Sequence, residues 1–269
     1  MENPLMFIID LFNKKKEPNL FGWKPDLPDH RDFKYAPKLN VQLPSSINLL
    51  RNCPPVYNQG NLGSCTANAI AAAVQFNQII KNKAWDFPPS RLFIYYNERV
   101  LSGTVKYDSG AYIRTGIKTV NQQGVCKESL WPYNIGRFTV KPSDPAYKEA
   151  TLHKTLKYER LDNTRINDLK SCLADGLPFV FGFTVYSYFI TNEMAKTGIL
   201  KMPGPNEKVL GGHAVMCVGY DDAKKMFLIR NSWGTDWGLK GYYWMPYDYV
   251  TNRNLCDDFW VIQAITVNR

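Results

Sequence analysis

The sequence predicts an α+β protein in which a helical lobe precedes a sheet lobe. Three observations carry this. Apolar residues recur at helical spacing between residues 65 and 124 and alternate as in strands from residue 179 onward. No strand–helix–strand alternation links the two regions, which argues against a parallel sheet. The chain has 269 residues, 45% apolar and 21% charged, enough to bury a sizeable core.

The elements follow in order. Up to Pro44 the chain carries six prolines and little period. Each proline removes a backbone donor and biases its predecessor toward extended geometry. Residues 1–42 therefore read as an extended arm, with room for a short helix ahead of it. From Cys65, the residues Ala67, Ile70, Ala71 and Val74 share one helical face, with Ser64 at the N-cap position. A second helix is predicted after Pro88-Pro89-Ser90, from Leu92 to about Leu101. A third places Ile113, Gly116, Ile117 and Val120 on one face and stops at Gly124. Strands are predicted at Phe179–Val185, Val215–Tyr220, Met226–Asn231, Tyr242–Met245 and Trp260–Val267.

Composition excludes several functions. The net charge is +9, but the one basic triplet is Lys14–Lys16 and no basic stripe is interleaved with aromatics, so no nucleic-acid partner is expected. No window reaches 18 apolar residues, so no membrane span is expected. The apolar run Leu5–Ile9 is short and followed by Asp10 and lysines, the wrong order for a secretory signal. A cytoplasmic location is expected, with packaging in a virion as the alternative for a viral source. Six cysteines without a CxxC pair, and three histidines, disfavour both a metal site and a disulfide scaffold. No metal and no cofactor are expected.

One constellation carries chemistry. Gln59-Gly60-Asn61-Leu62-Gly63-Ser64-Cys65 puts a thiol at a predicted helix N-terminus. Backbone N–H groups and the helix dipole there favour thiolate. A nucleophilic thiolate needs a proton-transfer partner. His213, among Gly211, Gly212 and Ala214, opens a strand with room beside its ring. A hairpin centred on Asp222 would set His213 directly opposite Asn231, Val215 opposite Ile229 and Cys217 opposite Phe227. The Asn231 amide oxygen would then fix the imidazole tautomer. A one-residue slip would separate the two side chains. The Gln59 side-chain amide and the Cys65 N–H would serve a developing oxyanion.

Together these residues resemble the papain-like cysteine peptidases. The match comprises Gln59 to Cys65, His213 within Gly-Gly-His-Ala-Val, and Asn231-Ser232-Trp233-Gly234 running on to Asp236-Trp237-Gly238. His213 follows Cys65 by 148 residues, as in that family. The resemblance spans about residues 43 to 269. It implies a two-lobed fold, a helical left lobe and an antiparallel β-barrel-like right lobe, with the active site in the cleft between. Residues 43–158 would form the mainly helical lobe and residues 159–269 the mainly β lobe.

The resemblance also implies roles. Cys65 would be the nucleophile, His213 the base and then acid, Asn231 its orienting partner and Gln59 part of the oxyanion hole. Trp233 would shield the His–Asn bond and Trp237 would line the leaving-group side. Asp108-Ser109-Gly110-Ala111-Tyr112 resembles the segment that pairs with substrate ahead of the scissile bond, which makes Gly110, Ala111 and Ala214 substrate contacts. The expected activity is a thiol endopeptidase acting on polypeptides, as a monomer; the alternative is a non-catalytic relative that binds peptides or a partner. Leu62 and Asp108 stand where the family has a bridged cysteine pair, and Thr66 replaces the usual aromatic after the nucleophile. The arm is too short for the family's helical pro-region and resembles arms of some bacterial and viral members. It is expected to lie across the cleft as a zymogen-like gate; the competing expectation straps it to the back of the sheet lobe.

Overall fold

A computed structural model describes residues 21–37, 42–81 and 87–267. The short helix expected ahead of the arm, and the lysine triplet, fall outside the described residues. Helix α1 spans Cys65–Lys81 and is built largely from alanine, the residue that pays least to be helical. It is buried on every side as far as Gln78, where the sequence pattern showed one buried face. The reason is its central position, packed against two further helices and the sheet. Its polar side chains are tied off inside: Asn68 donates to the Ser64 carbonyl at 2.9 Å and Asn77 to the Ile262 carbonyl at 2.9 Å.

Helix α2 spans Arg91–Leu101. Ser90 caps it, its hydroxyl accepting from the Phe93 N–H at 3.1 Å and donating to the Trp131 carbonyl at 2.6 Å. Helix α3 spans Ile113–Gln122. Gly124 follows at φ +84°, where an added Cβ would lie 1.7 Å from the Ala150 carbonyl oxygen. Backbone conformation and space both require glycine there.

Seven strands form one antiparallel sheet: β1 Ser46–Asn48, β2 His153–Arg160, β3 Phe179–Tyr186, β4 Val209–Asp221, β5 Met226–Arg230, β6 Tyr242–Pro246 and β7 Cys256–Val267. The order is β2-β7-β3-β4-β5-β6, with β1 paired to β4. Short helices α4 (Asp144–Ala150), α5 (Ile166–Ala174), α6 (Asn192–Thr197) and α7 (Tyr247–Val250) fill the connections. Sequence reading missed β1 and β2. Strand β2 ends the pairing path and reads His-Lys-Thr-Leu-Lys-Tyr-Glu-Arg, a charged edge strand without the apolar alternation of an inner one.

Two apolar cores flank the sheet. One joins α1, α2 and α3 to Val180, Ala214, Met216, Val218 and Trp260. The other, on the opposite face, holds Phe179, Phe181, Phe183, Val215, Cys217, Ile229 and Tyr243. Among the described residues no helix is long and apolar enough to cross a membrane, no group of His, Cys, Asp or Glu could hold a metal ion, and all six cysteines are free.

The β4–β5 register corrects the hairpin drawn from sequence. Cys217 pairs with Ile229 and Met216 with Arg230, so His213 is not directly opposite Asn231. Next to the turn, Tyr220 pairs with Phe227 and Asp221 with Met226. The offset changes by one residue at a bulge on Val218, whose carbonyl accepts from the Leu49 N–H at 2.9 Å. That bulge has a consequence for the site. It restores the parity that places His213 and Asn231 on one face, where diagonal neighbours remain within side-chain reach. Without it the one-residue slip would put them on opposite faces.

Candidate active site

Cys65 is the first residue of α1 and has no exposed surface. The approach to it is fixed by Gln59. Its side-chain amide donates to the Leu62 carbonyl at 2.9 Å, its Oε1 accepts from the Ser232 hydroxyl at 2.7 Å, and its backbone N–H reaches the Ser232 carbonyl at 2.8 Å. Gln59 thus ties the nucleophile loop to the residue after Asn231. Ser64 stands at the N-cap position of α1, where its carbonyl accepts from the Asn68 N–H at 3.0 Å, while its hydroxyl oxygen bonds other side chains. That oxygen is taken by the Tyr133 hydroxyl at 2.6 Å and the Asn68 amide at 3.0 Å.

His213 is fully buried on β4. Its Nε2 lies 2.8 Å from Asn231 Oδ1. Because that oxygen can only accept, the proton sits on Nε2 and Nδ1 carries the free lone pair. Nδ1 has no hydrogen-bond partner among the described residues. Asn231 Oδ1 also accepts from the Ser232 N–H at 2.8 Å, which holds the amide in place. The Trp233 ring lies 5.2 Å from the imidazole, centroid to centroid, and Phe183 and Phe189 lie at 5.7 and 6.2 Å. Trp237 packs edge-on to Trp233 at 5.2 Å, within the same aromatic group. Sequence reading did not single out Phe183 or Phe189.

The thiol and the imidazole approach through backbone. The backbone of Ala214, the residue after His213, of Gly22 in the arm and of Thr66 favours the Cys65 anion. Burial nonetheless pushes the Cys65 thiol up to about 11 and the His213 imidazole down to about 4. Burial thus works against the thiolate expected at the helix N-terminus, and these backbone neighbours work for it.

The arm lies over this site. Trp23 N–H donates to the Gly212 carbonyl at 2.9 Å, Lys24 N–H to the Ala111 carbonyl at 3.0 Å, and Ala111 N–H to the Gly22 carbonyl at 2.7 Å. A Cβ on Gly110 would stand 2.1 Å from the Gly22 oxygen. Phe21 covers His213 and Trp233, with ring centroids at 6.3 and 6.2 Å. Gly110, Ala111 and Ala214, the positions picked from sequence for substrate contact, are all occupied by or beside the arm. Farther on, the arm also runs along the sheet edge, where Tyr35 N–H meets the Arg160 carbonyl at 2.9 Å and Arg160 N–H the Phe33 carbonyl at 2.7 Å. The arm thus passes from the cleft to the β2 edge of the sheet.

A family model described as papain family cysteine protease matches residues 43–257. The chain belongs to the papain family of cysteine proteases. It is 45% identical to an uncharacterized peptidase C1-like protein of Acanthamoeba polyphaga mimivirus, over 91% of this chain and 87% of that protein. Among solved structures it resembles xylellain, a cysteine protease from Xylella fastidiosa, at 46% identity and a TM-score of 0.86, covering 95% of this chain and 99% of that one. A procathepsin B from Trypanosoma congolense shares the fold at 18% identity and a TM-score of 0.75, over 93% and 88% of the two chains. The protein is thus a papain-like cysteine peptidase, a hydrolase of polypeptides, with the two-lobed α+β fold.

Within that family, the position of the absent cysteine pair is instructive. The Gly63 N–H donates to both carboxylate oxygens of Asp108 at 3.1 Å, and the Tyr95 hydroxyl also bonds Asp108. A polar tie thus joins the two loops at Asp108, where the family has a disulfide. Thr66, in place of the usual aromatic, donates to the fully buried Glu98 at 2.9 Å. Burial pushes the Glu98 carboxyl up to about 8.

Proposed function

We propose that this papain-family protein is a thiol endopeptidase in which Cys65, His213, Asn231 and Gln59 carry the reaction and the N-terminal arm keeps it inactive until displaced. The observation that carries the reading is the His213 Nε2–Asn231 Oδ1 bond of 2.8 Å, which leaves Nδ1 as the free basic nitrogen.

The chemistry follows from that tautomer. His213 Nδ1 takes the thiol proton, and the Cys65 sulfur attacks the peptide carbonyl carbon. The negative charge that develops on the carbonyl oxygen is held by the Gln59 side-chain amide and the Cys65 backbone N–H. Nδ1 returns the proton to the leaving amine as the C–N bond breaks, giving an acyl-enzyme and a new N-terminus. Water then loses a proton to Nδ1, attacks the thioester, and releases the acid and the thiol. Asn231 holds the ring so that one nitrogen serves both proton transfers, and Trp233 keeps water from the His–Asn bond. Residues 43–158 would carry the nucleophile and residues 159–269 the base, so lobe packing sets their alignment.

The arm supports inhibition physically. It pairs with Ala111 and Gly212, covers His213 with Phe21, and packs Gly22 against the Gly63 carbonyl beside the nucleophile. The test is hydrolysis of a quenched fluorescent peptide library by the purified chain, with Cys65→Ala as control. The expected result is slow turnover that rises when the arm is displaced and vanishes in Cys65→Ala. Turnover that persists in Cys65→Ala rejects the assignment.

A further inference from the structure

We infer that Asp258 is a specificity residue: it selects, two residues from the bond cut on the side of Ala111, a large flat side chain that ends in an N–H, tryptophan above all. The inference rests on the peptidase reading above and deepens it.

The slot that does this is filled by Trp23, which is 8% exposed. Two glycines make room for its ring. A Cβ on Gly182 of β3 would lie 1.9 Å from Trp23 Cε2, and one on Gly212 of β4 would lie 2.7 Å from Cε3. At the end of the slot the indole N–H donates to Asp258 Oδ2 at 3.0 Å. The fold aims this carboxylate deliberately. Val180 pairs with Trp260, but Gly182 pairs with Asp257, so β7 carries an extra residue there. Asp258 sits in that irregularity at φ +59°, a conformation uncommon for residues other than glycine. Such bulges turn a side chain out of the ladder, and strain of this kind persists where surrounding contacts enforce it.

Asp258 is fully buried and has three partners. Oδ2 accepts from Trp23 Nε1 and from the Asp26 N–H at 2.7 Å, and Oδ1 accepts from Arg160 Nη2 at 3.1 Å. The first two belong to the arm. When the arm leaves, Oδ2 loses both donors while Arg160 keeps Oδ1. A carboxylate oxygen stranded in a glycine-walled slot rewards a ligand that brings a donor and penalises one that does not. Arg114 and Arg160 both flank Trp260 beside the slot, at 5.6 Å from its ring. Positive charge is already supplied, so a neutral N–H on a flat ring fits better than another cation.

Position follows from the arm. Gly22 packs against the Gly63 carbonyl just ahead of Cys65, and its neighbour Trp23 enters the slot while the chain pairs with Ala111. The slot therefore reads the side chain one residue removed from the one beside the nucleophile.

The experiment uses the full chain carrying Gly22→Val, which displaces the arm without altering the slot. Three dipeptidyl aminocoumarins are compared that differ only in the residue before alanine: tryptophan, 3-benzothienylalanine (the same shape with sulfur in place of N–H) and leucine. The tryptophan substrate is expected to exceed the benzothienyl one at least tenfold in kcat/KM. Adding Asp258→Asn, a residue that tolerates positive φ, should cut that ratio below threefold. Equal turnover of tryptophan and benzothienylalanine, in a protein that cleaves the leucine peptide, overturns the slot and leaves the peptidase standing. Where turnover is absent, protection of Cys65 from a thiol-directed epoxide by each peptide gives the same ranking. A Cys65 that neither turns over peptide nor reacts with the epoxide overturns the peptidase reading and the slot with it.

Discussion

Gly22→Val should convert a closed peptidase into an open one. A Cβ on Gly22 would stand 1.8 Å from the Gly63 carbonyl oxygen, a backbone atom just ahead of the nucleophile that has no rotamer by which to yield. The arm, not the body, must move. Burying the Trp23 ring, about 150–250 Å² at ~25 cal/mol per Å², stabilises the closed arm by about 4–6 kcal/mol. Its three backbone bonds and the indole–Asp258 bond add about 4 kcal/mol. Ordering residues 21–24 costs about 4–8 kcal/mol. The balance favours closure by about 3 kcal/mol, and an overpacking clash of about 3 kcal/mol brings open and closed forms near parity. At 1.4 kcal/mol per decade, the open fraction rises about a hundredfold. The assay is the initial rate on a fluorogenic peptide together with the rate of Cys65 alkylation, on protein whose circular dichroism and melting are checked first. Both rates should rise by about two orders of magnitude. A folded Gly22→Val protein whose rates equal those of the parent would refute the claim that the arm holds the cleft shut.

Other expectations follow from the same geometry. Asn231→Ala removes the acceptor that fixes the His213 tautomer, so kcat should fall ten- to a hundredfold with KM little changed, read in steady-state kinetics of the opened enzyme. Arm closure should respond to pH through two opposed groups. His213, lowered to about 4 in the closed form by burial, makes closure weaken as pH falls from 6.5 toward 4. Asp258 is raised in the closed form by burial and by the charge of Asp26, whose own carboxyl burial also raises; this closure is strongest in acid and fades as pH rises through the raised value. The two largely offset in mild acid, so Asp258→Asn should expose the His213 dependence as alkylation that speeds up below pH 6.5; a variant that instead closes in acid contradicts the assignment. Ser90→Ala removes a cap that both accepts from Phe93 and donates to Trp131, and should cost about 1–2 kcal/mol in urea melts without changing the opened enzyme's kcat.

Much of the site was legible in the residues because the chemistry demands particular types at particular places. Cys65 at a helix start, a histidine between small residues and an asparagine ahead of a tryptophan are each recognisable alone. The side-chain bond between His213 and Asn231 was foreseen, but for a pairing the strands do not make. A bulge at Val218 is invisible to a register counted from the turn, since nothing in the apolar run of β4 marks which residue is extra. The burial of Cys65 is hidden for a related reason. Local sequence announces the helix N-terminus but not the segment from 43 residues upstream that covers it. Gly22, Gly110, Gly182 and Gly212 read as loop or strand glycines until the arm is laid against them, when each becomes a point where a Cβ would collide. Asp258 did leave a trace. Asp257-Asp258 interrupts an otherwise apolar strand, Cys256 to Ile262, and a buried acid in such a run needs a partner.

Catalysis requires Cys65 and His213 to work as one proton-transfer pair once the arm is displaced. The most direct measurement is alkylation of the Gly22→Val protein by an irreversible thiol-directed epoxide, mapped by intact mass and peptide digestion, with and without His213→Ala. The expected result is that Cys65 alone among the six cysteines is modified, and that its rate falls more than a hundredfold when His213 is removed. Modification spread over several cysteines, or a Cys65 rate indifferent to His213, would contradict it.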